Sequence, residues 1–242
     1  MSDHNRIITR TAREYLASHG FFQAGSSRLW LKDHGWFMIM AEFQPSGFSK
    51  CSSLNMGLHF LWEHGPAEDN KSISAFHYPH QSAAIRQCHA AYTGDNALFS
   101  AYIAQFCRVI LAEAERLHSF LQLPRAESLL AQRAKASMWY ACDHAMCSFL
   151  SGCHAKGLAA LTECQDLLQQ RIHTLQDAGR LQEDDFSLRT LRWLAEEVSP
   201  AVASRESAHA YVLARINRRR AALSAMPKYR RMSSKEYTCE LS

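Results

Sequence analysis

The chain contains none of the short motifs that identify the common nucleotide-binding and hydrolytic enzymes. It has no G-x-x-x-x-G-K-[ST], no G-x-G-x-x-G, no G-x-S-x-G and no H-E-x-x-H, and it has only ten glycines. A phosphate-cradling loop built from glycine is therefore improbable. The sequence predicts no cofactor, and ATP, GTP and dinucleotide chemistry explain it poorly.

The cysteines do not form a disulfide or zinc framework that can be recognised in the sequence. Eight cysteines are scattered through 242 residues, and no two of them form a C-x-x-C. Four lie in apparently helical sequence. We interpret them as reduced thiols that pack as small apolar side chains.

Long hydrophobic segments are also missing. The first ten residues contain no apolar run of seven or more and no small-residue cleavage site, which argues against a secretory signal. The longest clean apolar run, residues 36–41, is far too short to cross a bilayer. We therefore expect a soluble cytoplasmic protein that does not associate with a membrane.

Three stretches of alternating apolar and polar residues follow a predicted first helix over residues 5–19. They cover residues 28–32, 36–44 and 54–62, and turn residues separate them. If the strands pair antiparallel, one face is fully apolar and forms a core. The opposite face is too apolar for simple exposure, so we expect something to cover part of it. That face carries our candidate binding residues Trp30, Trp36, Met40, Gln44 and Asn55.

The second half of the chain is helical in every window. We predict helices over residues 97–122, 125–150, 156–176, 185–198 and 204–225, each ended by proline, glycine or a polar turn. Residues 63–80 are turn-rich and predict a loop with one short strand around Ser72 to Tyr78.

The predicted fold class is α+β, with an N-terminal helix and a small antiparallel β-meander followed by an all-helical bundle of four or five helices. The predicted division is an α+β domain over residues 1–96, a helical bundle over 97–225 and a flexible basic tail over 226–242.

Several short motifs in the N-terminal part resemble one known family. Gly20-Phe21 follows the first helix, Phe43-Gln44-Pro45-Ser46 ends a strand, and Asn55-Met56-Gly57 lies in the next strand. This pattern resembles domain-of-unknown-function family 4304, a set of uncharacterised bacterial proteins. The resemblance covers roughly residues 5 to 65, and it implies a helix followed by a meander but no activity.

One polar grouping on the sheet has catalytic potential. Glu42 and His59 share a predicted face with Gln44 and Asn55, and a carboxylate near an imidazole is able to act as a general acid/base pair. The alternative interpretation is a solvated or hydrogen-bonded sheet face, which is the commoner origin of such groupings.

Two further groups of cysteine and histidine suggest metal binding or nucleophilic catalysis. His77, His80, Cys88 and His89 lie within thirteen residues, but their spacing fits no zinc motif, so we predict no metal site. A second cluster lies in helical sequence, where core packing is the better explanation than a Cys-His nucleophile. It consists of Cys142, Asp143, His144, Cys147, Cys153 and His154.

Basic charge is concentrated at the C-terminus. Residues 215–242 hold eight of the 27 Lys and Arg residues but only two of the 23 acidic residues. The segment includes Arg218, Arg219 and Arg220, which are candidates for gripping phosphates or an acidic partner. We favour instead a solvated helix face that includes Arg215, Arg218 and Arg219, followed by a frayed tail.

These observations favour a non-enzymatic binding or protein-interaction module with a protein partner or self-association. The alternative is a hydrolase or small-ligand-binding protein centred on Glu42 and His59. Nucleic-acid binding through the basic C-terminus is a third and weaker hypothesis.

Overall fold

The structure is a computed structural model that describes residues 3–46, 50–62, 73, 76–182 and 185–241. It has an N-terminal helix, a six-stranded antiparallel sheet and then about six helices, with 61% of the chain helical and 14% in strands. The predicted α+β fold class is therefore confirmed. Part of the predicted loop over residues 63–80, including Ser72, lies outside the described residues.

The sheet places its strands in the order β1-β2-β3-β4-β5, and β6 also pairs with β4. The meander of β2, β3 and β4 corresponds to the three strands predicted from alternation. Short strands pair at its two edges. β5 overlaps the end of the short strand predicted around Ser72 to Tyr78, whereas β1 and β6 were not predicted. The six strands are β1 (Phe21–Gln23), β2 (Leu29–Asp33), β3 (Phe37–Pro45), β4 (Cys51–Phe60), β5 (Tyr78–Pro79) and β6 (His89–Ala91).

Three helices accompany the sheet: α1 (Asp3–Leu16), α2 (Ala83–Gln87) and α3 (Asn96–Leu117). α3 packs against α1, β3 and β6. It begins at Asp95, whose Oδ1 accepts a hydrogen bond from the Leu98 amide at 2.9 Å. This cap satisfies one of the free N–H groups of the first turn, which explains why the helix begins there.

The remaining helices are α4 (Leu123–Ala134), α5 (Met138–Leu150), α6 (His154–Asp177), α7 (Phe186–Trp193), α8 (Ser199–Ala201) and α9 (Arg205–Ser224). One continuous helix was predicted over residues 125–150, but the chain breaks it between α4 and α5. Ser137 is extended there, and its Oγ accepts a hydrogen bond from the Trp139 amide at 3.2 Å. A serine cap therefore starts a new helix where helical periodicity alone predicted continuation.

The chain divides into two compact units. The first comprises residues 1–59, 73–118 and 221–235, and the second comprises residues 60–72, 119–220 and 236–242. The predicted boundary at residue 96 differs from this division because α3 packs with the sheet. Of the C-terminal residues, those up to 235 fall in the first unit and residues 236–242 fall in the second.

Both faces of β3 are buried. Phe37, Ile39 and Phe43 are 0% exposed, as expected for a core face, and Met38 and Met40 on the other face are 0% and 1% exposed. The prediction that something covers part of the second face is therefore confirmed, and this burial extends to most of β3.

One helical segment is long and apolar enough to cross a membrane. It covers Asn96–Leu121, and 44% of its most apolar window is buried inside the protein. Length and composition alone are weak grounds for a membrane span, because core helices of soluble proteins have the same character.

A close helix contact between α5 and α6 gives a prediction about stability. A Cβ built on Gly157 would overlap the ring of Phe149, which is 0% exposed and has no open space to enter. We expect Gly157→Ala to lower the free energy of unfolding by about 1–2 kcal/mol despite the better helix propensity of alanine. Chemical denaturation measures this change.

The double variant provides the control for that prediction. Phe149→Leu removes the ring that alanine would meet, so Gly157→Ala should cost much less in this background. An equal cost in both backgrounds would show that contact with Phe149 is not the cause.

Candidate functional site

One pocket in the first unit lies beside β4. β3 occupies one edge of β4, while β5 pairs with Gly57 and Leu58 and β6 pairs with residues 51–53 on the other edge. The chain between β5 and β6 leaves the edge and forms α2. A cavity of about 580 Å³ remains there, and we call it the β4 pocket. Its lining consists of Ser53, Leu54, Asn55, Met56, Phe76, Pro79, His80, Gln81, Ile85 and Arg86.

Local sequence explains how α2 closes this pocket. Ser82 caps the helix, since its Oγ accepts a hydrogen bond from the Ile85 amide at 3.2 Å. The helix ends after one turn, and the Cys88 carbonyl accepts a hydrogen bond from the Leu54 amide at 3.0 Å. Ile85 is 4% exposed, so one buried apolar side chain and the hydrogen bond between Cys88 and Leu54 hold α2 against the sheet.

His80 is the most firmly positioned polar residue of the pocket. Its amide donates to the Met56 carbonyl at 2.9 Å, and its Nε2 lies 2.7 Å from Oε2 of Glu113. Glu113 is 2% exposed, and its other carboxylate oxygen accepts from Arg116 at 2.9 Å. The imidazole is therefore fixed by a buried carboxylate on α3.

The ionisation of Glu113 follows from these contacts. Burial by itself raises the pKa of a carboxylate, but the hydrogen bonds from His80 and Ser82 and the charge of Arg116 lower the Glu113 pKa overall. Glu113 is thus charged at neutral pH. An ionised carboxylate can only accept, so Nε2 of His80 donates and Nδ1 is the acceptor in neutral imidazole.

The other polar side chains of the pocket have identifiable partners. Asn55 donates through Nδ2 to Oε1 of Gln44 at 2.7 Å, and Ser53 Oγ lies 2.8 Å from Nδ1 of His89. The Arg86 guanidinium donates to the Gln81 carbonyl at 3.2 Å and remains exposed. In the described part of the chain, Arg86 forms no ion pair with an acidic residue.

The structure does not join the predicted acid/base pair. His59 is 5% exposed, and its ring centroid lies 4.2 Å from that of His77. Glu42 pairs through its backbone with Leu29. Among the described residues there is no hydrogen bond between Glu42 and His59, although their neighbours Gln44 and Asn55 do meet.

The apolar binding candidates on the sheet are not at the surface, which corrects the sequence interpretation. Trp30, Trp36 and Met40 are each 1% exposed. These positions are apolar because the second face of the sheet is buried inside the protein, not because it binds a partner. A surface formed by these three residues is therefore not available in the folded protein.

The four residues considered as possible metal ligands each contact a different partner. His77 contacts His59, His80 binds Glu113, His89 binds Ser53, and the Cys88 thiol donates to the Ala84 carbonyl at 3.3 Å. Burial also raises the pKa of Cys88 to about 11, so this thiol stays protonated. No group of three or more His, Cys, Asp or Glu within the described residues is placed to hold a metal ion.

Cys142, Asp143 and Cys147 of the second cysteine and histidine cluster lie in the core of the second unit, while His144, Cys153 and His154 are partly exposed. Cys142 and Cys147 are 1% and 0% exposed. The pKa of each lies well above its usual value, for Cys142 through the contact with Cys164 and burial, and for Cys147 through burial. His144 binds Oε1 of Glu127 at 2.9 Å. Buried protonated thiols are poor nucleophiles, which agrees with the packing interpretation.

The predicted solvated face of basic residues is wrong for most of its members. Arg215 and Arg219 are each 3% exposed, Arg220 is 4% exposed, and only Arg218 is open to solvent. Arg215 donates through Nε to the Trp62 carbonyl at 2.8 Å and lies 4.8 Å from the ring of Trp193. Tertiary hydrogen bonds and aromatic contacts bury this guanidinium, and a charge run in the sequence cannot reveal them.

Sequence reasoning missed the central contact of the β4 pocket. His80 was considered only as a metal candidate, and Glu113 was not singled out because it lies 33 residues away in an apolar helix. The one available signal was the acidic residue itself, which interrupts the buried side of α3.

Comparisons with known proteins identify no relative. No protein-family model, no curated protein and no solved structure matches this chain. The function is therefore argued from the geometry of the chain itself.

Proposed function

We propose that this protein is a non-enzymatic binding protein that holds a small organic anion with an apolar body in the β4 pocket. The volume of about 580 Å³ carries this proposal, because it lies within the range of roughly 300–1,000 Å³ that is typical of small-molecule sites. The apolar wall, with Leu54, Met56 and Ile85, suits a hydrocarbon or aromatic group.

The polar residues of the pocket support an anionic end on the ligand. Arg86 is exposed and has no acidic partner in the described chain, and its planar guanidinium matches the geometry of a carboxylate. His80 is held in place by Glu113, so little conformational freedom is lost when it contacts a ligand. Asn55 adds an amide group beside these two side chains.

A fluorescent probe tests this proposal. Anilinonaphthalene sulfonate combines aromatic rings with one negative charge, and we expect it to bind the native protein near neutral pH with saturable fluorescence. Arg86→Gln removes the cation, and Phe76→Ala removes part of the apolar wall. Each should raise the dissociation constant of the probe about fivefold or more, which corresponds to about 1 kcal/mol.

An exposed arginine outside the pocket gives the matched control. Arg180→Gln makes the same change in net charge and should leave the dissociation constant within about twofold. Circular dichroism in the near ultraviolet must remain native, because loosely packed states also bind this probe. Absent binding, or binding unaffected by both pocket variants, would contradict the proposal.

The other hypotheses from the sequence receive less support. No hydrogen bond joins Glu42 and His59 among the described residues, which gives hydrolysis at this pair less support. A protein interface on the sheet would need the buried Trp30, Trp36 and Met40. The resemblance to family 4304 and a cytoplasmic location stay proposals.

A further inference from the structure

A second candidate site lies in the first unit, where the chain after α9 meets the turn that follows β1. A cleft of about 200 Å³ is lined by Arg13, Gln23, Gly25, Pro227, Lys228, Arg230 and Arg231. Four of these seven residues are basic and none is acidic. We call this the basic cleft. It shares no lining residue with the β4 pocket, so it does not depend on the function proposed above.

The basic residues are held in place from both sides of the cleft. The Gly25 amide donates to the Lys228 carbonyl at 2.9 Å. Gly25 has a φ of +60°, and a Cβ there would lie 3.2 Å from Cγ of Lys228, so this position favours glycine for both its conformation and its closeness to Lys228. The turn after β1 is thereby joined directly to the C-terminal segment.

Buried residues anchor the C-terminal segment beside these contacts. Tyr229 is 0% exposed, and its hydroxyl oxygen accepts a hydrogen bond from the Ile73 amide at 2.8 Å. Met232 is 4% exposed. Residues 228, 230 and 231 therefore lie beside backbone that these contacts anchor.

Among the described residues, no acidic side chain pairs with the charges of the basic cleft. Arg13, Lys228, Arg230 and Arg231 form no ion pair within the described residues, whereas nearby Arg10 approaches Glu14 at 3.9 Å. Arg13 instead lies 3.5 Å from Oε1 of Gln23. Like charges held close together repel one another, and a bound anion would relieve this repulsion.

We propose that the basic cleft binds two linked phosphoryl groups of a small polyphosphate ligand. Guanidinium groups bind phosphate oxygens through paired hydrogen bonds, and three arginines and one lysine supply enough cations for such a group. The volume equals the room taken by roughly six or seven water molecules at about 30 Å³ each, which suits a diphosphate.

The shape of the site favours a small polyphosphate over a nucleic acid. The four basic residues line one cleft of about 200 Å³. Single-stranded nucleic acids instead need a basic groove that follows about 4–16 nucleotides and aromatic side chains for stacking. Tyr229 is fully buried and cannot stack on a base. The nucleic-acid hypothesis therefore becomes an alternative outcome of the test.

Isothermal titration of the full chain with inorganic pyrophosphate tests the proposal. We expect saturable binding of one pyrophosphate, weakened at least tenfold in Arg230→Gln/Arg231→Gln and weakened as salt rises from about 50 to 200 mM. Both side chains are exposed, so circular dichroism should show an unchanged fold. The matched control Arg125→Gln/Arg180→Gln makes the same change in net charge at exposed positions and should bind within about twofold of the parent chain.

Parallel titrations with sulfate and with a single-stranded DNA of about 20 nucleotides separate the sources of binding. Weaker binding of sulfate than of pyrophosphate would support a site for two linked phosphoryl groups. Binding of DNA without binding of pyrophosphate would overturn the proposal in favour of a nucleic-acid surface. Absent pyrophosphate binding, or equal binding by the cleft and control variants, would also overturn it.

Discussion

Replacing Trp62 by phenylalanine is expected to lower the free energy of unfolding by about 2–4 kcal/mol. Trp62 is 0% exposed, and its indole Nε1 donates to Oδ1 of Asp143 at 2.8 Å. Asp143 is also 0% exposed, so its carboxylate has no access to water that could replace the lost donor. Leaving a buried acceptor without its donor costs roughly 1–3 kcal/mol, and the smaller ring adds a packing cost.

A second tryptophan in the same unit isolates the contribution of this hydrogen bond. Trp193 is 2% exposed, and its indole N–H has no acceptor among the residues that the structure describes. Trp193→Phe therefore removes the same atoms without breaking a hydrogen bond. Apart from the lost contact with Arg215, this variant should lower the free energy of unfolding by about 1 kcal/mol or less. Urea denaturation followed by far-ultraviolet circular dichroism measures both variants. Equal losses would show that the bond to Asp143 contributes little.

His34 should make the protein less stable as the pH falls from about 6.5 to about 4. Burial, together with the charges of Lys32 and His118, lowers the pKa of His34 from 6.5 to about 4, while the charges of Asp33 and Glu115 oppose this shift. Nε2 of this ring has no hydrogen-bond acceptor within the described chain, so protonation would leave a buried donor unsatisfied.

The direction of this effect follows from proton binding in the two states. Between pH 4 and 6.5 the unfolded chain binds more protons at His34 than the folded chain does, so the free energy of unfolding falls as the pH is lowered. At about 1.4 kcal/mol for each pH unit, and with a reduction because the ring is partly exposed, we expect a loss of about 2 kcal/mol.

A phenylalanine variant removes the titrating group and keeps an aromatic ring. The His34 ring stacks on Phe37 with centroids 5.0 Å apart, and phenylalanine can preserve this contact. His34→Phe should therefore lose about 2 kcal/mol less stability than the parent chain between pH 6.5 and 4. His19→Phe, at an exposed position, should retain the pH dependence of the parent. An identical pH profile for His34→Phe would rule out His34 as the source.

Part of the candidate site was accessible to sequence reasoning because a strand has a fixed side-chain period. Alternation placed Gln44 and Asn55 on one face, and these side chains form a hydrogen bond at 2.7 Å. The same alternation could not fix positions along the strands, and no hydrogen bond joins Glu42 and His59 among the described residues. Periodicity predicts which side chains share a face of the sheet, but the contacts between them also depend on strand register and on other elements.

The contact between His80 and Glu113 lay beyond any local pattern. It joins a loop to a helix 33 residues later, and it forms because α3 packs beside β6 and α2. The burial of Arg215 has the same origin, since it depends on the carbonyl of Trp62 and on the ring of Trp193. Arginine side chains are usually solvated, so the sequence favoured an exposed position for Arg215.

By itself the sequence determined the α+β class, the meander from residues 28 to 62 and the helical character of most of the second half, because side-chain periodicity and capping residues act locally. The tertiary structure decided which surfaces remain free. It buried Trp30, Trp36 and Met40, and it anchored the C-terminal segment through Tyr229. It also created the β4 pocket from elements distant in the chain. Burial and cavities depend on how separate elements pack, and no local pattern contains that information.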